Sequence, residues 1–322
     1  MKFHCEKVLQ KVQTFPILQT TLTDSASDTG NLIRVPRVGP TLAAAHPPYG
    51  ETFPGRPTGR WSDGRLIIDY IAMELGLPLL NPNLNSNASF NNGVNFSVAG
   101  ATALNTSFLA ARGVFVPAIF TPLSGQLDWL RRYLHSLCST PSGDAQSPLA
   151  LSLLAPYTWP WHIMLRGYVY LVSHTPHIFP RTYDLSFYFC ICGAIQEIIR
   201  LGATKIVVPG AFPLGCLPSN LVLFPNDAKD GQGCLRNINE LSIYFNNLLK
   251  KALNLLRLEF PSVIIIYADY YTAFEYFLAM DPPLACCGIG GQYNFDRNRS
   301  CGSAGVPVCP DPRQYIQWDG DR

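Results

Sequence analysis

Apolar residues recur at helical spacing in four stretches of this chain. Gly64–Leu75 sets Leu66, Ile67, Tyr70, Ile71 and Met73 or Glu74 around successive turns and predicts an amphipathic helix. Gln126–Leu137 predicts a second, and Ala194–Leu201 a third, closed by Gly202. Ile238–Leu258 predicts a fourth, with Ile238, Leu241, Phe245, Leu248, Ala252 and Leu255 on one stripe and Pro261 ending it. Three short β-prone runs lie between these segments: Gly93–Val98, Lys205–Val208 and Val263–Tyr267. Helices alternating with continuous apolar strands predict a parallel sheet covered on both faces, that is, an α/β fold built as a three-layer α/β/α sandwich.

One stretch breaks the pattern. From Thr140 to Phe189 the chain holds Pro, Trp, His and Tyr in no steady period, as in Tyr157-Thr158-Trp159-Pro160-Trp161-His162. A structureless segment of that length is anomalous inside a compact domain.

Composition narrows the function classes. With 48% hydrophobic and 14% charged residues, and a net charge of +2 without a Lys/Arg cluster, the chain has neither the profile of a disordered protein nor a basic footprint for nucleic acid. No run approaches the roughly 20 apolar residues of a membrane span. Met1–Leu22 holds no apolar run long enough for a signal peptide. Ten cysteines and the N-x-S/T sequons at Asn87, Asn95, Asn105 and Asn298 point the other way, to an extracellular protein.

Six of the cysteines, Cys216, Cys234, Cys286, Cys287, Cys301 and Cys309, fall in a last third that has no histidine, so disulfides fit better than a metal site. Cys216 with Cys234 would close a surface loop, and two of the other four could tie down the C-terminal segment; spacing does not fix the connectivity. The run Gly288-Ile289-Gly290-Gly291 follows a cysteine pair rather than a strand, which argues against a phosphate cradle.

The candidate chemistry sits in Thr23-Asp24-Ser25-Ala26-Ser27-Asp28-Thr29-Gly30-Asn31. An exposed serine where an apolar strand breaks into a polar turn can present its hydroxyl and its own N–H to a carbonyl, while Asp28, Thr29 and Asn31 hold the loop backbone. Taken alone, the run reads more readily as a helix cap. Further blocks change that: GRWSDGRLIIDYIA from Gly59, GVNFSVAGATAL from Gly93, IVVPGAFPLGCLPS from Ile206, ACCGIGGQYNF from Ala285 and CGSAGVPVCPDPRQYIQWDG from Cys301.

In these blocks and their order the chain resembles the plant-type GDSL esterases/lipases of the SGNH hydrolase superfamily, over 23–138 and 194–320. The resemblance implies one flavodoxin-like domain spanning 1–322 and acyl transfer from a carboxylic ester to water. It assigns Ser25 as nucleophile, the N–H groups of Ser25 and Gly100 as oxyanion donors, and Asp319 as the acid of a D-x-x-H motif. It implies no cofactor and no metal, a small-molecule ester as partner, a monomer, and residence in the secretory pathway.

The departures carry equal weight. Thr23 replaces the family's glycine before Asp-Ser, and no Gly-x-Asn-Asp block supplies the third oxyanion donor; the anomalous stretch reads Tyr168-Val169-Tyr170-Leu171-Val172-Ser173-His174-Thr175 instead. Arg322 holds the histidine position counted from Asp319, and an arginine stays protonated and cannot act as a general base. The six histidines, His4, His46, His135, His162, His174 and His177, all lie elsewhere. These breaks predict impaired turnover, or an inactive relic that binds an apolar ligand. They also predict an altered transcript or gene model, with a foreign N-terminus, a disturbed middle and a premature end, which sequencing of the mature mRNA tests.

Overall fold

A computed structural model of the chain describes residues 19–138 except 112, 114, 115 and 118, then 151–154, 179–280 and 282–321. Five strands form one parallel sheet: β1 (Gln19–Leu22), β2 (Gly93–Asn95), β3 (Leu151–Leu154), β4 (Lys205–Pro209) and β5 (Ile264–Ala268), in the order β2-β1-β3-β4-β5. That is the flavodoxin-like doubly wound order. The helices are α1 (Ile67–Glu74), α2 (Thr106–Ala110), α3 (Leu123–Cys138), α4 (Phe179–Arg200), α5 (Pro218–Leu223), α6 (Arg236–Glu259) and α7 (Tyr270–Leu278).

Both faces of the sheet are covered. On one, Leu22, Val94, Ile206, Val208 and Ile265 meet Leu127 and Leu130 of α3, Ile191, Ile195 and Ile198 of α4, and Leu249, Leu253 and Leu256 of α6. Each such side chain contributes about 1.5–3 kcal/mol on full burial. Val207, alternating with its neighbours, turns to the other face and packs on the cluster of Leu66, which precedes α1, Ile68 of α1 and Leu80.

Three sequence expectations are corrected. The stretch from Thr140 to Phe189, which shows no period, contributes β3 to the centre of the sheet, paired with β1 from Gln19↔Leu151 to Leu22↔Leu154 and with β4, and it contributes the first turns of α4. Four residues are too few for a period, and leucines carry little strand preference.

The second correction concerns α6. Leu255 of its predicted stripe is 58% exposed, whereas Asn239, Ser242 and Asn246 are buried. The reason is polar: Asn239 Oδ1 accepts from the Gly215 N–H at 2.8 Å, and the Asn246 amide bonds the Ala211 N–H and carbonyl at 2.7 and 3.0 Å. Likewise Asp69 faces inward on α1, leaving Ile67, Tyr70 and Met73 outside, because it holds buried Arg60 through two 2.7 Å bonds and also accepts from the Leu66 N–H.

The third is β1 itself. An apolar strand is expected before Ser25, yet β1 reads Gln-Thr-Thr-Leu and is buried throughout. An inner strand flanked on both sides satisfies its backbone fully, and β-branched threonines fit its crowded faces.

Candidate active site

The sheet order makes the chain leave β1 toward β2 and return past it to β3, which opens a crevice at the carboxyl ends of these strands. Ser25 lies three residues beyond the end of β1, in a turn closed by Ser27 N–H to Asp24 O (3.2 Å) and Ala26 N–H to Asp24 Oδ1 (2.8 Å). The expectation of an exposed serine is corrected: Ser25 is 3% exposed, because the turn folds against the loop that follows β2.

That docking is dense. The pairing of β1 with β2 continues past the strands, Phe96 N–H donating to Thr21 O at 2.8 Å and Val98 N–H to Thr23 O at 3.1 Å. Asp28, fully buried, then gathers four backbone donors: Gly30 and Asn31 on Oδ1 (2.8 and 2.6 Å), Leu32 and Ala99 on Oδ2 (3.1 and 2.8 Å). Burial pushes the Asp28 pKa up from the usual carboxylate value, and the four N–H groups, led by that of Ala99, pull it back. Asn31 donates from Nδ2 to Asn95 O and Ser97 O, both at 2.8 Å, and accepts from the Leu84 N–H. Asn95 Nδ2 in turn donates to Ser27 O.

Gly100 follows Ala99 directly. Its φ of +78° is a left-handed conformation suited to glycine, and a Cβ there would stand 2.6 Å from the Phe120 ring. The structure thus brings the loops of Ser25 and Gly100 together. Sequence reasoning named Asp28 and Asn31 as loop holders. It missed Gln126, whose Nε2 donates to Thr23 O at 2.7 Å; a buried glutamine on the apolar face of α3 was the available signal.

Asp319 is held by a different set of contacts. Its Oδ2 accepts from Tyr49 Oη at 2.9 Å and its Oδ1 from the Asp321 N–H at 3.1 Å. The Tyr49 ring meets Trp318 and Trp61 edge-on, at 5.9 and 5.8 Å, and Trp61 packs on the cluster of Leu32, Val98, Ala99 and Ala101. Nothing in the sequence announced Tyr49.

The segment carrying Asp319 is stitched to a disulfide knot. Cys286 and Cys287 donate their N–H groups to Gln317 O and Trp318 O at 2.9 and 2.7 Å, while Cys286–Cys309 and Cys287–Cys301 lock that strip. Cys216 pairs with Cys234, and Gln317 Nε2 donates to Cys216 O at 3.0 Å. The three disulfides among the described residues fit an oxidising compartment, and no helix among those residues is long and apolar enough to cross a membrane.

An aromatic wall completes the surroundings. Phe212, after β4, packs against Tyr270 (tilted) and Phe274 (edge-on) of α7, with ring centroids 5.2 and 5.6 Å apart. Tyr270 lies within electrostatic reach of Asp24: burial first, and that carboxylate next, push its pKa to about 12. Among the described residues the histidines are His46, which is exposed with Nε2 2.7 Å from Pro40 O, and His135, exposed on α3. His4, His162, His174, His177, Tyr168–Thr175 and Arg322 lie outside the described residues.

Comparison with known proteins agrees with this architecture. The GDSL-like Lipase/Acylhydrolase family profile matches residues 23–148 and 192–320. The chain is 56% identical to acetylajmalan esterase 2 of Rauvolfia serpentina, over 92% of this chain and 83% of that protein. It is 52% identical to an acetylajmalan esterase of the same species, over 93% and 79%. A GDSL esterase/lipase of Arabidopsis thaliana is 42% identical, over 92% and 76%.

Proposed function

The chain belongs to the GDSL-like lipase/acylhydrolase family of carboxylic ester hydrolases, and from that premise we propose that it transfers an acyl group from a neutral ester to water through Ser25. Ser25 Oγ attacks the carbonyl carbon, and the N–H groups of Ser25 and Gly100 receive the charge that develops on oxygen. The bond to the alcohol oxygen breaks as a general base passes the Ser25 proton to it, and water, giving up a proton to the same base, then cleaves the acyl–Ser25 ester to the free acid and restores the serine. Asp319 holds the position of the acid that orients a general base, and the residue three places on, where that base would stand, is Arg322 in this chain.

The observation that carries this reading is the clamp of Asp28 on the Ala99 N–H, which fixes the Gly100 loop against the Ser25 turn. The aromatic wall of Phe212, Tyr270 and Phe274 suits an apolar group. Relatives that are 52–56% identical and named acetylajmalan esterases favour a short acyl chain on a bulky polycyclic alcohol as substrate. The three disulfides support a secretory route.

A second reading, an impaired catalyst or a binder of apolar ligands, rests on Arg322 at the D-x-x-H position. In serine hydrolases, loss of the histidine costs on the order of 10⁶ in turnover and leaves roughly 10³–10⁴ over water. A fluorophosphonate probe separates the readings. Labelling that disappears in Ser25→Ala supports the enzyme; no labelling of a cooperatively folded chain supports the binder.

A further inference from the structure

The four N-x-S/T sequons, equivalent in the sequence, occupy different environments in the fold. Asn95 is fully buried in β2, its Nδ2 spent on Ser27 O and its Oδ1 accepting from the N–H of Ser97, the hydroxyl residue of its own sequon. A sugar on that nitrogen would cut the link between β2 and the nucleophile turn. Asn105 and Ser107 are exposed, but Asn105 caps α2 and accepts from Ser124 Oγ while Thr106 and Ser107 are already helical, so this sequon lies in helical backbone and not in a turn.

Asn87 and Asn298 differ from both. Asn87 is exposed on a turn in which Ala88 N–H donates to Asn85 O at 3.0 Å, and Ser89 beside it is exposed as well. Asn298 is exposed on a turn held by Asp296, which accepts the Asn298 N–H on Oδ1 (2.8 Å) and the Arg299 N–H on its carbonyl (3.1 Å); Ser300 is exposed. Their turn backbones put both the amide and the sequon hydroxyl in solvent.

Two further observations bear on these asparagines. The disulfides Cys216–Cys234, Cys286–Cys309 and Cys287–Cys301 belong to the oxidising lumen in which sequons are modified, and Cys301 adjoins the Asn298 sequon. Beside Asn87, Ala88 and Ser89 border a cavity of about 790 Å³ whose walls include Phe90, Trp129 and Tyr133. Aromatic faces of that kind give the first pyranose ring an apolar floor.

We propose that Asn87 and Asn298 are N-glycan attachment sites and that the Asn95 and Asn105 sequons stay bare in the folded protein. The donor is a lipid-diphosphate-linked oligosaccharide. The Asn Nδ2 forms a bond to the anomeric carbon, the bond from that carbon to phosphate oxygen breaks, the lipid diphosphate leaves with the electron pair, and one amide proton passes to a base.

The test is translation of the full chain behind a cleavable signal sequence into microsomes, with electrophoretic mobility read on the lumenal, protease-resistant fraction. Two glycan steps are expected, falling to one in Asn87→Gln and in Asn298→Gln and to none in the double variant. Both variants alter exposed side chains and fold as the parent does. Glycopeptide mapping of the unsubstituted chain gives the same answer without variants. Bare Asn87 and Asn298, or a glycan on Asn95 or Asn105 in the folded fraction, overturns the proposal.

Discussion

Asp28 and Ala99 are joined across the site by a 2.8 Å bond from the Ala99 N–H to Oδ2, and three more backbone donors converge on the same carboxylate. Asp28→Asn keeps the shape but turns an NH₂ toward two of those donors. Each buried donor left unmatched costs about 1–3 kcal/mol, so urea unfolding is expected to show a loss of about 2–6 kcal/mol. A loss under about 1 kcal/mol would rule out the clamp.

Gly100→Ala meets two obstacles: a left-handed backbone worth about 1–2 kcal/mol and a Cβ driven to 2.6 Å from the Phe120 ring. The double variant Gly100→Ala with Phe120→Leu removes the contact and leaves the backbone cost. Its stability is therefore expected to lie above that of Gly100→Ala plus the separate cost of Phe120→Leu. Strict additivity in a double-mutant cycle would show that the ring contact is irrelevant.

Tyr49→Phe leaves the rings in place but removes the donor to Asp319 Oδ2. The expected destabilisation is about 1–3 kcal/mol. Tyr49→Ala should cost more, because edge-on packing against Trp61 and Trp318 goes as well; thermal melts of the two variants give the comparison.

Arg322→His restores the D-x-x-H pattern counted from Asp319. If that position supplies the base, hydrolysis of a short-chain p-nitrophenyl ester should rise by at least about 10², part of the factor on the order of 10⁶ that the base contributes. The gain should follow a titration near pH 6.5 and vanish in Ser25→Ala. An unchanged rate would place the base elsewhere.

Stability should fall in alkali. Burial, joined at Tyr270 by Asp24 and at Tyr271 by Glu275 and Asp230, raises the pKa of Tyr133, Tyr270 and Tyr271 from 10.0 to about 12. The unfolded chain thus releases phenolic protons first. The stabilisation is complete below pH 10 and is lost as pH rises toward 12. Urea midpoints across that range test this, and Tyr133→Phe should flatten the decline.

How much of this was legible in the sequence follows from what each element buries. Lys205–Pro209 and Arg236–Glu259 lie within two residues of the predicted strand and helix, because continuous β-branched residues and a long periodic stretch are strong signals. The inward face of α6 was misread because asparagines that bond the loops after β4 look like surface residues on a helical wheel. β3 was missed for its brevity. At the site, the residues close to Ser25 in sequence were readable as loop holders. Tyr49, 270 residues from Asp319, was not, since no local pattern encodes a contact at that separation.

The mounting of β1 between β2 and β3 has a geometric consequence. Adjacent strands in a sheet sit about 4.8 Å apart, and the backbone pairing of β1 with β2 runs on past their ends through Thr21 and Thr23. Ser25 and Gly100 therefore follow two strands whose backbones are held in register. Asp319 is anchored instead through the cysteine knot and Tyr49. The span between the Ser25 turn and the Gly100 loop is gauged by strand spacing, while the position of Asp319 is gauged by the cysteine strip.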